Sequence, residues 1–232
     1  MSDIGPVAGP WEPYDRLILR TPDLVAYWPG AELTGIVGAD VKGGRNATYV
    51  AAPTLGAVGP IKGETFNPAV LYNGSTQWTT IVNNAALIPY PLTIEAWITP
   101  PSGGAQSIFG GAYDGGNMAY LLELGSAGQL IGYLFGSPSL HYTGAGTDLR
   151  DSLWHHVALV GSPTANDLIV DGASSHHTAG TWTAMAKSAA GLVIGARNAA
   201  SQPFNGRIAR VALYGRNLSL AELASHNAAG RA

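Results

Sequence analysis

Two adjacent histidine pairs are the first residues that could do chemistry: His155 and His156 in DSLWHHVALVG, and His176 and His177 in SSHHTAG. Imidazoles so placed suggest a metal site or a proton relay. The flanks of the first pair read as a strand, and successive side chains on a strand point to opposite faces of the sheet. Trp154, His156, Ala158 and Val160 then share one face, with His155, Val157 and Leu159 on the other. One imidazole is expected to lean inward and bond a backbone carbonyl, the other to line the outer face. The second pair lies in a polar connection; an extended backbone separates it in the same way, whereas a loop could bring both rings to one ion.

Hydrolytic chemistry needs acids in pairs. A retaining glycosidase sets two carboxyl groups about 5 Å apart, but Glu95 stands alone in TIEAWIT and Glu123 alone in LLELG. No strand face carries two acids, and no GxSxG elbow frames a serine nucleophile. The chain has no cysteine, which removes disulfides, thiolate metal sites and cysteine catalysis together. The expectation is binding without catalysis.

Composition narrows the partners. Charged residues are 12% of the 232, hydrophobic residues 46%, and the net charge is −3 with no basic run. Nucleic-acid recognition rests on clustered Lys and Arg, so it is not expected. Neither is membrane insertion, because no window approaches ~18 consecutive apolar residues. The first residues have neither a basic start nor an apolar core, so they do not read as a secretory signal.

The elements that must position these residues are mostly strands. Short apolar runs alternate with Gly, Pro, Asn and Asp clusters: LVAYW (24–28), AVLYN (69–73), LTIEAWIT (92–99), QSIFGGAY (106–113), MAYLLEL (118–124), QLIGYLF (129–135), LWHHVALVG (153–161), DLIVDG (167–172), GLVIGA (191–196) and GRIARVALYG (206–215). Turns such as DGGN and VDGA supply the positive-φ positions of tight hairpins. One helix is expected near the C-terminus, where Ser219 precedes Glu222 by three residues as in a capping box; Leu220, Leu223 and Ala224 form its apolar face and Gly230 its stop. Residues 1–20 carry three prolines in the first thirteen positions, which argues for an irregular arm. Its apolar side chains, Trp11, Tyr14, Leu17, Ile18 and Leu19, either cover the domain's own surface or dock on a partner. Residues 21–232 form the domain proper: an all-β jelly-roll sandwich of two antiparallel sheets with one short C-terminal helix.

Several segments, in order, resemble the laminin-G-like branch of the concanavalin A-like lectin/glucanase superfamily. DLVAYWPGAELTG looks like an opening strand of such domains, AVLYNGSTQWTTI like their strand–glycine turn–strand, and LTIEAWITP like the strand that often reads Thr-Ile-Glu-Ala-Trp. LWHHVALVGSPTANDLIVDG and LVIGARNAASQPFNGRIARVALYGRNLSLAEL match the closing hairpin, last strand and terminal helix. The likeness spans about residues 22–228. It departs where these domains often carry an Asp-Glu pair in the last strand; here Ala209 and Arg210 stand instead, so no role of those acids carries over.

The resemblance implies calcium as a cofactor, with Asp114, Asn117 and Asp148 as candidate ligands and Asp151 beside them; Asp114 and Asn117 equally suit a plain hairpin turn. It also implies a sugar site, for which Tyr113, Asp114, Asn117, His141 and Tyr142 combine aromatic surface with hydrogen-bonding groups; Trp78 and Trp182 are further aromatics. The leading functional expectation is a virion component of a bacteriophage, on tail or capsid, that docks on other virion or assembly proteins or on its own copies. The alternative is a lectin or adhesin module, exported by a route the sequence does not show, that grips cell-surface glycans.

Overall fold

The computed structural model describes residues 13–82, 85–111, 119–134, 140–143, 146–179, 191–198 and 201–232. Along the chain these form α1 (Pro13–Arg20), β1 (Leu24–Trp28), β2 (Val37–Gly38), β3 (Ala47–Val50), β4 (Thr54–Val58), β5 (Pro68–Asn73), β6 (Trp78–Ile81), β7 (Leu92–Thr99), β8 (Gln106–Gly111), β9 (Tyr120–Leu124), β10 (Leu130–Leu134), β11 (Leu140–Thr143), β12 (His155–Gly161), β13 (Ala165–Val170), β14 (Ala173–Ala179), β15 (Leu192–Ile194), β16 (Asn205–Tyr214) and α2 (Leu220–Arg231). All pairings are antiparallel. The first sheet has the order β14-β13-β12-β7-β16-β5-β4, with β1 also on β16, and the second β11-β10-β9-β8-β15-β6-β3-β2. The expected sandwich of two antiparallel sheets is present.

Alternation along the strands explains the layers. In β7, Leu92, Ile94, Ala96 and Ile98 face the second sheet and join the core between the sheets, with Tyr120, Leu122 and Leu124 of β9 and Val157 and Leu159 of β12. The other face of the first sheet is also buried. There Trp97, Ala158, Val160, Ala212 and Tyr214 form a second core with Tyr14 and Ile18 of α1 and Leu223 of α2. Among the described residues the sandwich therefore has a third, helical layer, laid on the outer face of the first sheet.

Helix α1 corrects the expectation of an irregular arm. Pro13 is its first residue, where a missing N–H removes no intrahelical bond and the fixed φ suits the helix, and Asp15 lies in its first turn. Tyr14 and Ile18, four residues apart, are buried on one side, while Leu17 and Leu19 are half-buried. Tyr14 and Ile18 therefore pack on this chain's own domain and do not present a docking surface, and the folded unit extends upstream of residue 21. Trp11 lies outside the described residues.

Helix α2 keeps its predicted start: the Ser219 hydroxyl accepts from the Glu222 amide and the Glu222 carboxylate accepts from the Ser219 amide. Its face and its end differ from expectation. The buried residues are Leu223, His226 and Gly230, whereas Leu220 is exposed. Gly230 does not stop the helix; it lets the helix close on Trp97, because a Cβ there would lie 2.3 Å from the indole Cζ2. SSHHTAG is likewise not a loop but most of the edge strand β14. His177 Nδ1 lies 2.6 Å from Asp167 Oδ1 and His176 Nε2 2.8 Å from Thr178 Oγ1, so the two rings serve different partners.

Candidate functional site

The His155–His156 pair diverges as strand geometry requires, but both rings meet carboxylates where a backbone carbonyl was expected. His155 is clamped between Asp171 (2.8 Å) and Asp151 (3.1 Å). His156 is fully buried, with Nε2 3.0 Å from Glu95 Oε2. Glu95 also accepts from the Tyr214 hydroxyl at 2.6 Å and holds His226 Nδ1 of α2 3.0 Å from both oxygens. The far nitrogen of His226 reaches Thr21 Oγ1, just past α1, at 3.2 Å. Burial alone would raise the Glu95 carboxyl, but hydrogen bonds from His156 and His226 pull it well below the usual range. Burial likewise opposes charge on His226, and Glu95 outweighs it, raising the imidazole. This cluster is chemically able to move protons, yet Glu95 and His156 have no exposed surface. It joins two helices to a sheet and offers a substrate no approach.

A second ionic group seals the same face. Arg210 lies in β16 at a bulge, with φ +56°, where the strand stops pairing with β5 and begins pairing with β1. Its Nε is 3.0 Å from Asp15 of α1, its Nη2 3.5 Å from Glu64, and its Nη1 donates to the carbonyls of Pro29 and Pro68. The Tyr27 hydroxyl donates to Asp15 as well. Arg210 is thus the anchor of the N-terminal helix. The sequence signal was a charge in the middle of the apolar stretch IARVALY, residues 208–214.

The outer face of the second sheet is built differently. Ser107 of β8 pairs with Glu123 of β9, and Tyr133 of β10 pairs with Leu121, one step along the same face. The Ser107 hydroxyl lies 3.2 Å from Glu123 Oε2 and 3.4 Å from Gln202 Oε1, and its amide donates to the Gln202 carbonyl at 2.9 Å. Gln202 adopts φ +50°, a conformation unusual for a side-chain-bearing residue and recurrent at functional sites. Tyr133 is pushed up to about 12 by burial first and by a hydrogen bond with Glu123, so it is a neutral hydroxyl at physiological pH. The guanidinium of Arg197 lies over its ring, 5.6 Å from the centroid. Ser107 and Glu123 are buried; Tyr133, Arg197 and Gln202 are part-exposed. Strand pairing and the loop after β15 thus assemble an aromatic ring, a guanidinium and an amide over a buried Ser–Glu pair.

The residues proposed from sequence relate to this row unevenly. His141 of β11 is in register with Tyr133, and Tyr142 with Gly132, so the sheet brings His141 to the row's edge. Tyr113, Asp114, Asn117 and Trp182 lie outside the described residues; Trp78 is part-buried on β6. Asp148 does not fit calcium. Its Oδ1 accepts from the Arg150 amide and Nε (3.0 and 2.8 Å) and its Oδ2 from Nη2 (2.7 Å), so a guanidinium holds both oxygens. Asp151 is spent on the Leu153 amide and His155. Among the described residues no group of three His, Cys, Asp or Glu side chains is arranged to hold a metal. Sequence reasoning missed Tyr133, Arg197, Ser107 and Gln202, which are distant in the chain and follow no local motif.

A laminin-G-type family model, described as the Concanavalin A-like lectin/glucanases superfamily, matches residues 73–224. No curated protein matches the chain. Among solved structures, domain 4 of AbnA, a GH43 extracellular arabinanase from Geobacillus stearothermophilus in complex with arabinotriose, superimposes with a TM-score of 0.68 at 16% identity, covering 88% of this chain and 98% of that one. The binding domain of Paraclostridial Mosquitocidal Protein 1 gives 0.64 at 14% identity over 88% of this chain and 52% of its own. Trypanosoma rangeli sialidase gives 0.64 at 17% identity over 90% of this chain and a third (33%) of its own. At these identities the likeness is one of fold.

Proposed function

The chain belongs to the concanavalin A-like lectin/glucanase superfamily, and from that premise we propose that it is a non-catalytic carbohydrate-binding module whose site is the row on the outer face of the second sheet. One observation carries the reading: a part-exposed aromatic–guanidinium–amide surface, Tyr133 on β10 with Arg197 and Gln202 on the loop after β15, backed by a buried Ser107–Glu123 pair. Sugar recognition asks for such a flat apolar surface beside preset hydrogen-bonding groups, and rigid strands reduce the ordering cost of binding. The fold it shares with an arabinanase domain solved with arabinotriose supports the same class of ligand.

Binding without cleavage is supported by the two acids that a glycosidase would have to pair. Glu95 and Glu123 lie on outer faces of different sheets, with the inter-sheet core between them, so they cannot flank one glycosidic bond. The virion reading has less support, because two side chains that an arm would offer a partner, Tyr14 and Ile18, are inside this chain's own core.

The test is a glycan array followed by calorimetric titration, with arabino-oligosaccharides among the ligands. Saturable binding is expected, with no release of reducing ends, and Tyr133→Ala should weaken it by about tenfold or more, as loss of a central aromatic does. Absence of binding across the array, or unchanged affinity in Tyr133→Ala, overturns the proposal.

A further inference from the structure

Arg197 is the feature of the row that plain sugar binding leaves unexplained. It follows β15 through Gly195 (φ +79°), and its amide donates to the Ser201 carbonyl at 2.9 Å. Its own carbonyl crosses β8 so closely that a Cβ on Gly110 would lie 2.5 Å from it. The backbone is therefore pinned above the sheet, and the side chain extends over Tyr133. Arg45, Arg150, Arg210, Arg216 and Arg231 each have a carboxylate partner within 4 Å; Arg197 has none among the described residues. Its guanidinium lies over an aromatic ring, part-exposed, with its charge not spent on an acid of the described residues.

A guanidinium presents a rigid planar fork of N–H donors, and the group that matches it is a planar anion bound through two parallel bonds. The Tyr133 ring beneath it, 5.6 Å away at the centroid, restricts the side chain before a ligand arrives, so less side-chain entropy remains to be lost. A neutral arabinose or glucose unit offers hydroxyls only and makes no use of the charge. Resting on the reading of the row as a glycan site, we infer that Arg197 selects glycans bearing carboxylates, those containing uronic acid units, by a bidentate contact with the carboxyl group, with Tyr133 as the platform beneath.

The experiment compares each acidic glycan with its own methyl ester, which keeps the sugar and removes the charge. Oligogalacturonides, glucuronate-bearing xylan fragments and the two esterified sets are titrated by calorimetry at pH 7 and low salt, beside neutral arabino-oligosaccharides. At least one acid form should bind tenfold or more tightly than its ester, and that preference should shrink at 0.5 M NaCl. In Arg197→Gln the acid-to-ester ratio should fall to near one; Arg197→Lys, which keeps the charge but loses the fork, should restore only part of it. Unchanged melting temperatures of both variants show that the fold is intact. Equal binding of acid and ester by the unsubstituted protein overturns the inference and leaves the glycan-binding reading standing. A ratio that survives Arg197→Gln overturns the assignment to this residue. Failure to bind any glycan, acidic, esterified or neutral, overturns both.

Discussion

Glu95 and Glu123 each stand alone in an apolar strand and each face away from the core between the sheets, yet they meet opposite surroundings. Over Glu95 lie two helices; two imidazoles and a tyrosine hydroxyl turn to it, and the nearby Arg210 binds Asp15 and Glu64 in turn. Over Glu123 the protein places a serine, a tyrosine and, further out, a guanidinium that has no acid partner among the described residues. The first face spends its polar groups on one another. The second keeps some facing outward. Isolated acids in strands are thus no guide to reactivity; what separates the structural carboxylate of Glu95 from that of Glu123, beneath the proposed ligand surface, is whether a described helix covers it.

The comparison can be broken most forcefully at Glu95. Glu95→Gln leaves His156 and His226 facing an amide in a buried site. Disrupting a buried ionic group costs about 3–5 kcal/mol, so a large fall in denaturant midpoint is expected, with glycan affinity of the surviving folded protein unchanged. A parallel loss of affinity would show that the two faces are coupled.

Gly230→Ala should come next. The added methyl must push Trp97 or lift the end of α2, and overpacking of this kind costs roughly 1–3 kcal/mol. Hydrogen exchange should quicken in α2, with β8 to β10 unaffected.

The pH dependence sharpens the same contrast. His226 is raised above its ordinary 6.5 by Glu95, so its contribution is present below pH 6.5 and is lost as pH climbs through the raised value. Glu95 is lowered from 4.5, so its contribution is present above pH 4.5 and is lost as pH falls through the lowered value. Stability from this pair should therefore be greatest between about pH 4.5 and 6.5 and decline on the alkaline side. His226→Gln should flatten that decline in a series of melting curves, with the residual slope belonging to His155, also raised, by Asp171 and Asp151 against burial. An unaltered slope would mean that the helical layer is not held by the ion pair.

Smallest is the effect of Ser107→Ala on the other face. One hydrogen bond to Glu123 is removed, worth about 1 kcal/mol, and the change should register in glycan affinity more than in the melting temperature.

What the sequence could disclose follows from how local each feature is. LVAYW and LTIEAWIT coincide with β1 and β7 because alternation and flanking turn residues act within a few positions; the Ser219–Glu222 box is equally local. Helix α1 was hidden by its prolines, since Pro13 reads as a breaker unless it falls at the first helical position. β14 was hidden because an edge strand with a solvated face needs no apolar run. The divergence of His155 and His156 was legible from the two-residue period, but Glu95 as the partner of one of them was not, as 61 residues separate it from His156. The row of Ser107, Glu123, Tyr133, Arg197 and Gln202 exists only through the pairing of β8, β9 and β10 and the loop after β15, and apart from Arg197 and Gln202, which share that loop, its members come from separate elements.

Because α1 and α2 lie together on the first sheet, and the Gly230 carbonyl accepts from the Lys62 amide beside them, the first and the last described helix cover the same side of the sandwich. The row occupies the other. A label joined after Ala232 would therefore start from the side opposite Tyr133 and Arg197 and leave that surface open to solvent.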